Sequence, residues 1–414
     1  MAYLRLADHT LAAVSRRSAA AVAWVLVLTG CGSSGSPMNA RNVGDAGASA
    51  SAADGNAGDG DASPGTADSG PSTFAPGPPI TGLMDKAWIW VDVPESHCRD
   101  GSTTGFGVSA NSASDKLMIF LEGGSACFNA ITCSVNASSA SGTGFTGPAS
   151  GNNGVLNRDD TANPVRDWNF VDIPYCTGDV HAGNNPNGMV AGVTGTQQFV
   201  GYPNMREFLK RIVPTFPNVK QVLLTGVGAG GFGASANSIQ VGQAFPASVQ
   251  MYVLDDSGPP MDDPYAANCL QQQWVTLWGF DKTIVADCGS DCADMTNFPI
   301  KATAHGLKTH PTTPVGVIDS TDDNTITLFY GFGQNNCTGS ISTPLSAMQF
   351  TAGLDDMRTQ LMAYPNFGAY VFSGTQNTII ADPTTFDPQT AGGVKLTDWI
   401  TQLVVNGKVT NVGP

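Results

Sequence analysis

Histidine is scarce in this chain: five residues in 414, none beyond His310. An imidazole base is therefore excluded from the last hundred residues. Basic charge is also short, with 19 Lys and Arg against 34 Asp and Glu and a formal charge of −15. An acidic surface offers no counterion release to a phosphate backbone, which excludes nucleic acid as a partner. No apolar run after Leu28 is long enough to cross a bilayer. There is no CxxC pair and no histidine near Cys288-Gly289-Ser290-Asp291-Cys292, so a zinc site has little support, and neither metal nor cofactor is expected.

The N-terminus reads as an export signal over residues 1–30. Arg16 and Arg17 precede a short apolar core from Ala19 to Leu28, and Leu28-Thr29-Gly30-Cys31 has the form of a bacterial lipobox. Small residues there admit a signal peptidase, and the Cys31 thiol would accept the diacylglycerol that tethers the mature chain. Gly32 after that cysteine suits outer-membrane delivery, so a cell-envelope lipoprotein touching the membrane only through its lipid is expected. Removing the signal takes Arg5, Arg16, Arg17 and Asp8 away and leaves a charge of −17.

Residues 31–80 hold mostly Ser, Gly, Ala, Pro and Asp and too few large apolar side chains to offset the entropy of ordering, which predicts a solvated linker. One domain is expected over 81–414. Its eight cysteines form an even set in an exported chain, so four disulfides are the default. The short loops suggest Cys127–Cys133 and Cys288–Cys292, leaving Cys98–Cys176 and Cys269–Cys337, although spacing alone does not fix the connectivity.

Within that domain, Gln221-Val222-Leu223-Leu224-Thr225 reads as a buried strand, Gly226-Val227-Gly228-Ala229-Gly230-Gly231 as a tight turn, and Phe232 to Phe245 as a helix. This is the layout of a nucleophile elbow, GxSxG, with Gly228 where the serine belongs. Lys116 to Leu121 is a second buried strand, ending in Glu122-Gly123-Gly124-Ser125, a loop of the kind that aims amides at an oxyanion or simply turns the chain. Strands ending at Asp255-Asp256-Ser257 and near Asp322-Asp323 place carboxylates where open α/β sheets hold ligands. Asp322 and Asp323 serve equally as caps for a helix over Thr325 to Tyr330 or as an acid orienting a base. His181, in the loop after Trp168 to Ile173, is a candidate ligand contact or a structural histidine.

Together, Cys98-Arg99-Asp100-Gly101-Ser102, Leu121-Glu122-Gly123-Gly124, Tyr175-Cys176-Thr177-Gly178-Asp179-Val180-His181, the elbow, Asp256-Ser257-Gly258 and Phe372-Ser373-Gly374-Thr375-Gln376 resemble the pectin acetylesterase (Notum-like) family in order and spacing. The resemblance implies an α/β-hydrolase-like fold, a mostly parallel central sheet flanked by helices, and removal of acyl groups from esters by a Ser, Asp and His triad. Carried over, the nucleophile position falls on Gly228, the acid on Asp323 (less surely Asp322) and the base on Asn377. The oxyanion donors fall on the amides of Gly123, Gly124 and Ala229, and His181 and Asp256 on the ligand pocket. Two triad members are then missing, since glycine has no hydroxyl and an amide accepts no proton at neutral pH.

The reading that follows is an exported pseudoenzyme that binds an acylated saccharide or other acyl ester without turnover. An active esterase rebuilt around Ser125 or Ser257 with His181 as base is the alternative, and a structural envelope role is compatible with the same residues.

Overall fold

The buried strands Lys116–Leu121 and Gln221–Val227 lie side by side and parallel at the centre of an eight-stranded sheet in a computed structural model of the chain. The structure describes residues 74–148, 154–339 and 341–414. The expected signal over 1–30, Cys31 and most of the linker lie outside the described residues.

In chain order the sheet strands are β1 (Trp88–His97), β2 (Thr103–Ser109), β3 (Lys116–Leu121), β4 (Asn169–Ile173), then, after the ribbon β5 (Asn185–Gly188) and β6 (Gln197–Phe199), β7 (Gln221–Val227), β8 (Gln250–Asp256), β9 (Val315–Ser320) and β10 (Phe367–Phe372). A second ribbon, β11 (Thr390–Ala391) and β12 (Val394–Lys395), follows. The sheet runs β1-β2-β4-β3-β7-β8-β9-β10. The six strands from β4 to β10 pair in parallel, and β2 joins them antiparallel to β4. Near-continuous apolar runs such as KLMIFL fit strands covered on both faces.

The helices used below are α1 (Ala130–Val135), α2 (Gly201–Thr215), α3 (Ala229–Ala244), α4 (Asn268–Trp274), α5 (Ile284–Cys288), α6 (Phe298–Thr309), α7 (Ile326–Tyr330), α8 (Ala347–Leu361), α9 (Pro383–Phe386) and α10 (Leu396–Asn406). Alternation along the strands divides the core. Leu117, Ile119 and Leu121 pack with Phe208, Leu209 and Ile212 of α2 and Val241 of α3, whereas Met118 and Phe120 face the cluster of Trp399, Ile400 and Leu403 on α10. A third, aromatic cluster, with Trp274, Trp278, Phe280, Phe298 and Phe350, is built largely from the segments inserted after β8 and β9.

Order begins earlier than the linker expectation. The Gly77 amide donates to the Lys210 carbonyl at 2.9 Å, the Ile80 amide donates to Thr215 Oγ1 at 2.8 Å, and Ile80 is buried. Residues 74–80 thus belong to the fold, because Phe74 and Ile80 find apolar partners beside α2 that their own neighbours lack.

Four disulfides join Cys98 to Cys176, Cys127 to Cys133, Cys269 to Cys337 and Cys288 to Cys292. No helix among the described residues is long and apolar enough to cross a membrane.

Strand order reverses between β3 and β7: β3 is followed in sequence by β4 on one side, and β7 by β8 on the other. The loops leaving their C-terminal ends diverge and open a crevice there.

Candidate active site

Gly228 alone makes the turn from β7 to α3, with φ 55° and ψ −114°. The helix therefore starts three residues before the expected Phe232, since Ala229, Gly230 and Gly231 form its first turn. Packing demands that economy. A Cβ on Gly226 would stand 2.4 Å from the Gly230 carbonyl oxygen, and one on Gly230 would stand 2.0 Å from that of Leu121. The two flanking glycines let β7 and α3 press against the end of β3. At Gly228 itself the nearest atoms to a built Cβ are Thr378 Cγ2 at 3.7 Å and Asn377 Oδ1 at 3.9 Å. The backbone is that of an elbow, and the space for a side chain is open.

Opposite it, Asn377 Nδ2 donates to Asp323 Oδ2 at 2.8 Å. The other oxygen of Asp323 accepts from the amides of Thr325 at 2.8 Å and Ile326 at 2.7 Å. Asp323 thus ties down the chain entering α7 and fixes Asn377 at once, and the partner it orients is an amide rather than a base. Burial raises its pKa, against the lowering effect of the Ile326 amide and the Asn377 side chain. Asp322 is held through its backbone, its amide donating to the Gly374 carbonyl at 3.0 Å, and it is Asp323 that bonds Asn377.

Gly123, Gly124, Ala229, Gly228, Asn377 and Thr378 line one cavity of about 470 Å³. The Ala229 amide opens α3 and has no acceptor within the helix. Phe128, Ile131, Val135, Val180, Phe232 and Phe329 supply apolar walls, and among the described residues no charged side chain or histidine is on the lining. The arrangement offers a crevice bordered by the Gly123-Gly124 loop and the start of α3, an apolar bed, and glycine and asparagine at the two positions that the resemblance assigns to the nucleophile and the base.

The sequence pattern of the pectinacetylesterase family matches residues 88–338, well over half of the chain. This chain belongs to the pectinacetylesterase family. It is 31% identical over 186 residues to the palmitoleoyl-protein carboxylesterase notum2 of Xenopus laevis, covering 42% of this chain and 37% of that one. The mouse palmitoleoyl-protein carboxylesterase NOTUM is 30% identical over 179 residues, 40% of this chain and 34% of its own. The matched stretch is thus little more than a third of either relative. The solved Wnt deacylase Notum of Drosophila superposes with a TM-score of 0.57 at 18% identity, over 78% of this chain and 95% of that one, a likeness of fold. The family match ends before β10, so Asn377 lies beyond it.

Two residues assigned from sequence to the ligand pocket of this pectinacetylesterase-like domain stand behind its wall instead. His181, at φ 58°, is buried, with Nε2 2.9 Å from the Glu122 carbonyl oxygen. A carbonyl only accepts, so Nε2 carries the proton. Burial drives the His181 pKa down to about 4, which keeps the ring neutral. It props the Gly123-Gly124 loop from beneath. Asp256 is fully buried, and its Oδ2 accepts from the amides of Ile379 at 2.8 Å and Ile380 at 2.7 Å. Burial raises its pKa to about 7 despite those bonds. It pins the loop that carries Asn377. Both assignments fail for one reason: polar side chains at strand ends turn toward unsatisfied backbone within reach, and only the assembled loops reveal which backbone that is.

Neither serine of the rebuilt-site alternative is hydrogen-bonded to His181, whose Nε2 is taken up by the Glu122 carbonyl. Ser125 is on the cavity wall, with Oγ no nearer than 3.4 Å to the Ala126 carbonyl. Ser257 is buried and donates to Asp256 Oδ1 at 3.0 Å. Asp319, which the sequence reading passes over, is fully buried beside Asp323; burial first and then the Asp323 charge push its pKa well up. Nothing in its strand sequence distinguishes it from an ordinary core-facing residue.

Proposed function

We propose that this chain is a catalytically silent member of the pectinacetylesterase family that holds an acyl ester, such as an acylated saccharide, in the cavity over Gly228 without hydrolysing it. The observation that carries the reading is Gly228 at the elbow facing an Asn377 that is hydrogen-bonded to Asp323. The shape of a triad persists with two of its reactive atoms replaced. The amides of Gly123, Gly124 and Ala229 are the expected oxyanion donors, and they need no particular side chain. The export signal and the lipobox at Cys31 support a cell-envelope lipoprotein, delivered to the outer membrane or the cell surface.

The direct test uses a peracetylated monosaccharide. Intrinsic fluorescence should report saturable binding that is lost in Ser125→Trp, which fills the cavity, while acetate release stays at the level of buffer alone. Acetate release well above buffer that persists after repurification would overturn the reading and turn attention to Ser125.

A further inference from the structure

The walls of the cavity have an unusual charge distribution. Not one Asp, Glu, Lys or Arg occurs in the 35 residues from Gly123 to Asn157, nor in the 31 residues from Asn324 to Leu354. These two segments supply facing walls of the same cavity, through Ile131 and Val135 on α1 and Leu328 on α7. The side chains are not tucked in. Ile131 is 43% exposed, Val135 69%, Leu328 45% and Ile341 78%. Ile131 and Val135 are four apart on a helix and share its outer face. Ile341 joins Leu328 through its neighbour Ser342, whose hydroxyl donates to the Leu328 carbonyl. Exposed apolar side chains from two uncharged segments therefore form a collar beside this cavity in a chain that is otherwise strongly acidic.

We propose that this collar seats the mouth of the cavity on the headgroup–acyl boundary of a zwitterionic lipid bilayer. A charged rim would have to be desolvated on contact, at a cost that exposed Leu and Ile do not incur. The acidic remainder of the surface disfavours anionic headgroups and leaves a neutral lipid surface as the matching partner. Reach is no obstacle. Cys31 precedes the first described residue, Phe74, by 43 positions, and such a length spans up to about 150 Å when extended. Seated in this way, the mouth would admit an acyl chain from the bilayer without exposing it to water. The inference goes beyond ligand retention, because docking requires neither an occupied cavity nor turnover.

The test uses residues 32–414, which lack the lipid-bearing cysteine and keep the whole compact unit of 69–414. The chain is co-sedimented with sucrose-loaded phosphatidylcholine vesicles, and circular dichroism confirms folding of each variant. The wild-type sequence should pellet with lipid, and the double variant Val135→Asp with Leu328→Asp should lower the bound fraction at least fivefold. Val405→Asp, on α10 beside the N-terminal ends of β8 and β9 and away from the mouth, should leave it unchanged. Absence of pelleting at millimolar lipid, or equal loss with Val405→Asp, would overturn the proposal. So would self-association that the double variant abolishes without any vesicle binding, which would assign the collar to a second copy of the chain.

Discussion

Asn377 donates to Asp323 across 2.8 Å, the contact that an imidazole would make in a working triad. The bond survives the change of residue because an amide can donate as an imidazole does. On the proposed reading the proton transfer does not, because the remaining atom facing Gly228 is an oxygen that cannot take up a proton at neutral pH.

Restoring the chemistry should need both positions. Gly228→Ser alone leaves an unactivated hydroxyl, and Asn377→His alone leaves nothing to activate. The double variant should hydrolyse p-nitrophenyl acetate at least about 10³ times faster than either single one, in line with the cost of losing triad members. A folded, inert double variant would count against the placement of these two roles.

Stability should depend on pH in a direction that the buried acids dictate. The folded pKa of Asp256 is raised to about 7, so its stabilising contribution is full below the unfolded value near 4 and is lost as pH rises through 7. That is about 4 kcal/mol from this group. Asp172, Asp179, Asp255 and Asp319 are raised in the same direction by burial. His181 opposes them, since its value of about 4 favours folding above pH 6.5 and loses that advantage in acid. Five carboxyls outweigh one imidazole, so the melting temperature should be higher at pH 5.5 than at pH 8. Asp256→Asn, which mimics the protonated form, should flatten the slope. A melting temperature that rises with pH would contradict the burial of these groups.

The disulfides should rank by the loops they close. Cys98–Cys176 spans 78 residues and Cys288–Cys292 only 4; chain-entropy arguments give about 4–5 and about 2 kcal/mol. Urea titration of the paired Cys→Ala variants should reproduce that order. Alkylation of the native chain lacking Cys31 should add no mass before reduction, and two or more free thiols would break the pairing.

The lipid anchor has its own check. Full-length protein from a bacterial host should enter the detergent phase of a Triton X-114 partition, and Cys31→Ser should stay in the aqueous phase. Equal partitioning of the two would exclude the lipid.

The sequence made the elbow legible because its signal is local: a strand, a glycine turn and a helix within two dozen residues. Asp323 stands out from its place after a strand, but Asn377 and the pairing of the two are reachable only through the family resemblance, since they are 54 residues apart along the chain. His181 and Asp256 could be recognised as important but not oriented, because the Glu122 carbonyl and the Ile379 and Ile380 amides that they satisfy come from distant loops. The fold starts earlier than composition implies for the same reason, as Ile80 gains its partner from α2, 135 residues later. Non-local contacts decide facing, and periodicity cannot report them.

The turn at Gly228 is held by bonds that bypass its side chain: its amide donates to the Asp256 carbonyl at 2.7 Å, and its carbonyl accepts from the Phe232 amide at 3.1 Å. At φ 55° a serine would carry a backbone cost that glycine escapes. Position 228 is therefore a place where durability and reactivity pull in opposite directions. An active enzyme must tolerate the strain to keep its hydroxyl. Where turnover does not matter, the backbone itself favours glycine, and on the proposed reading the frame at this position gains security in exchange for the reaction.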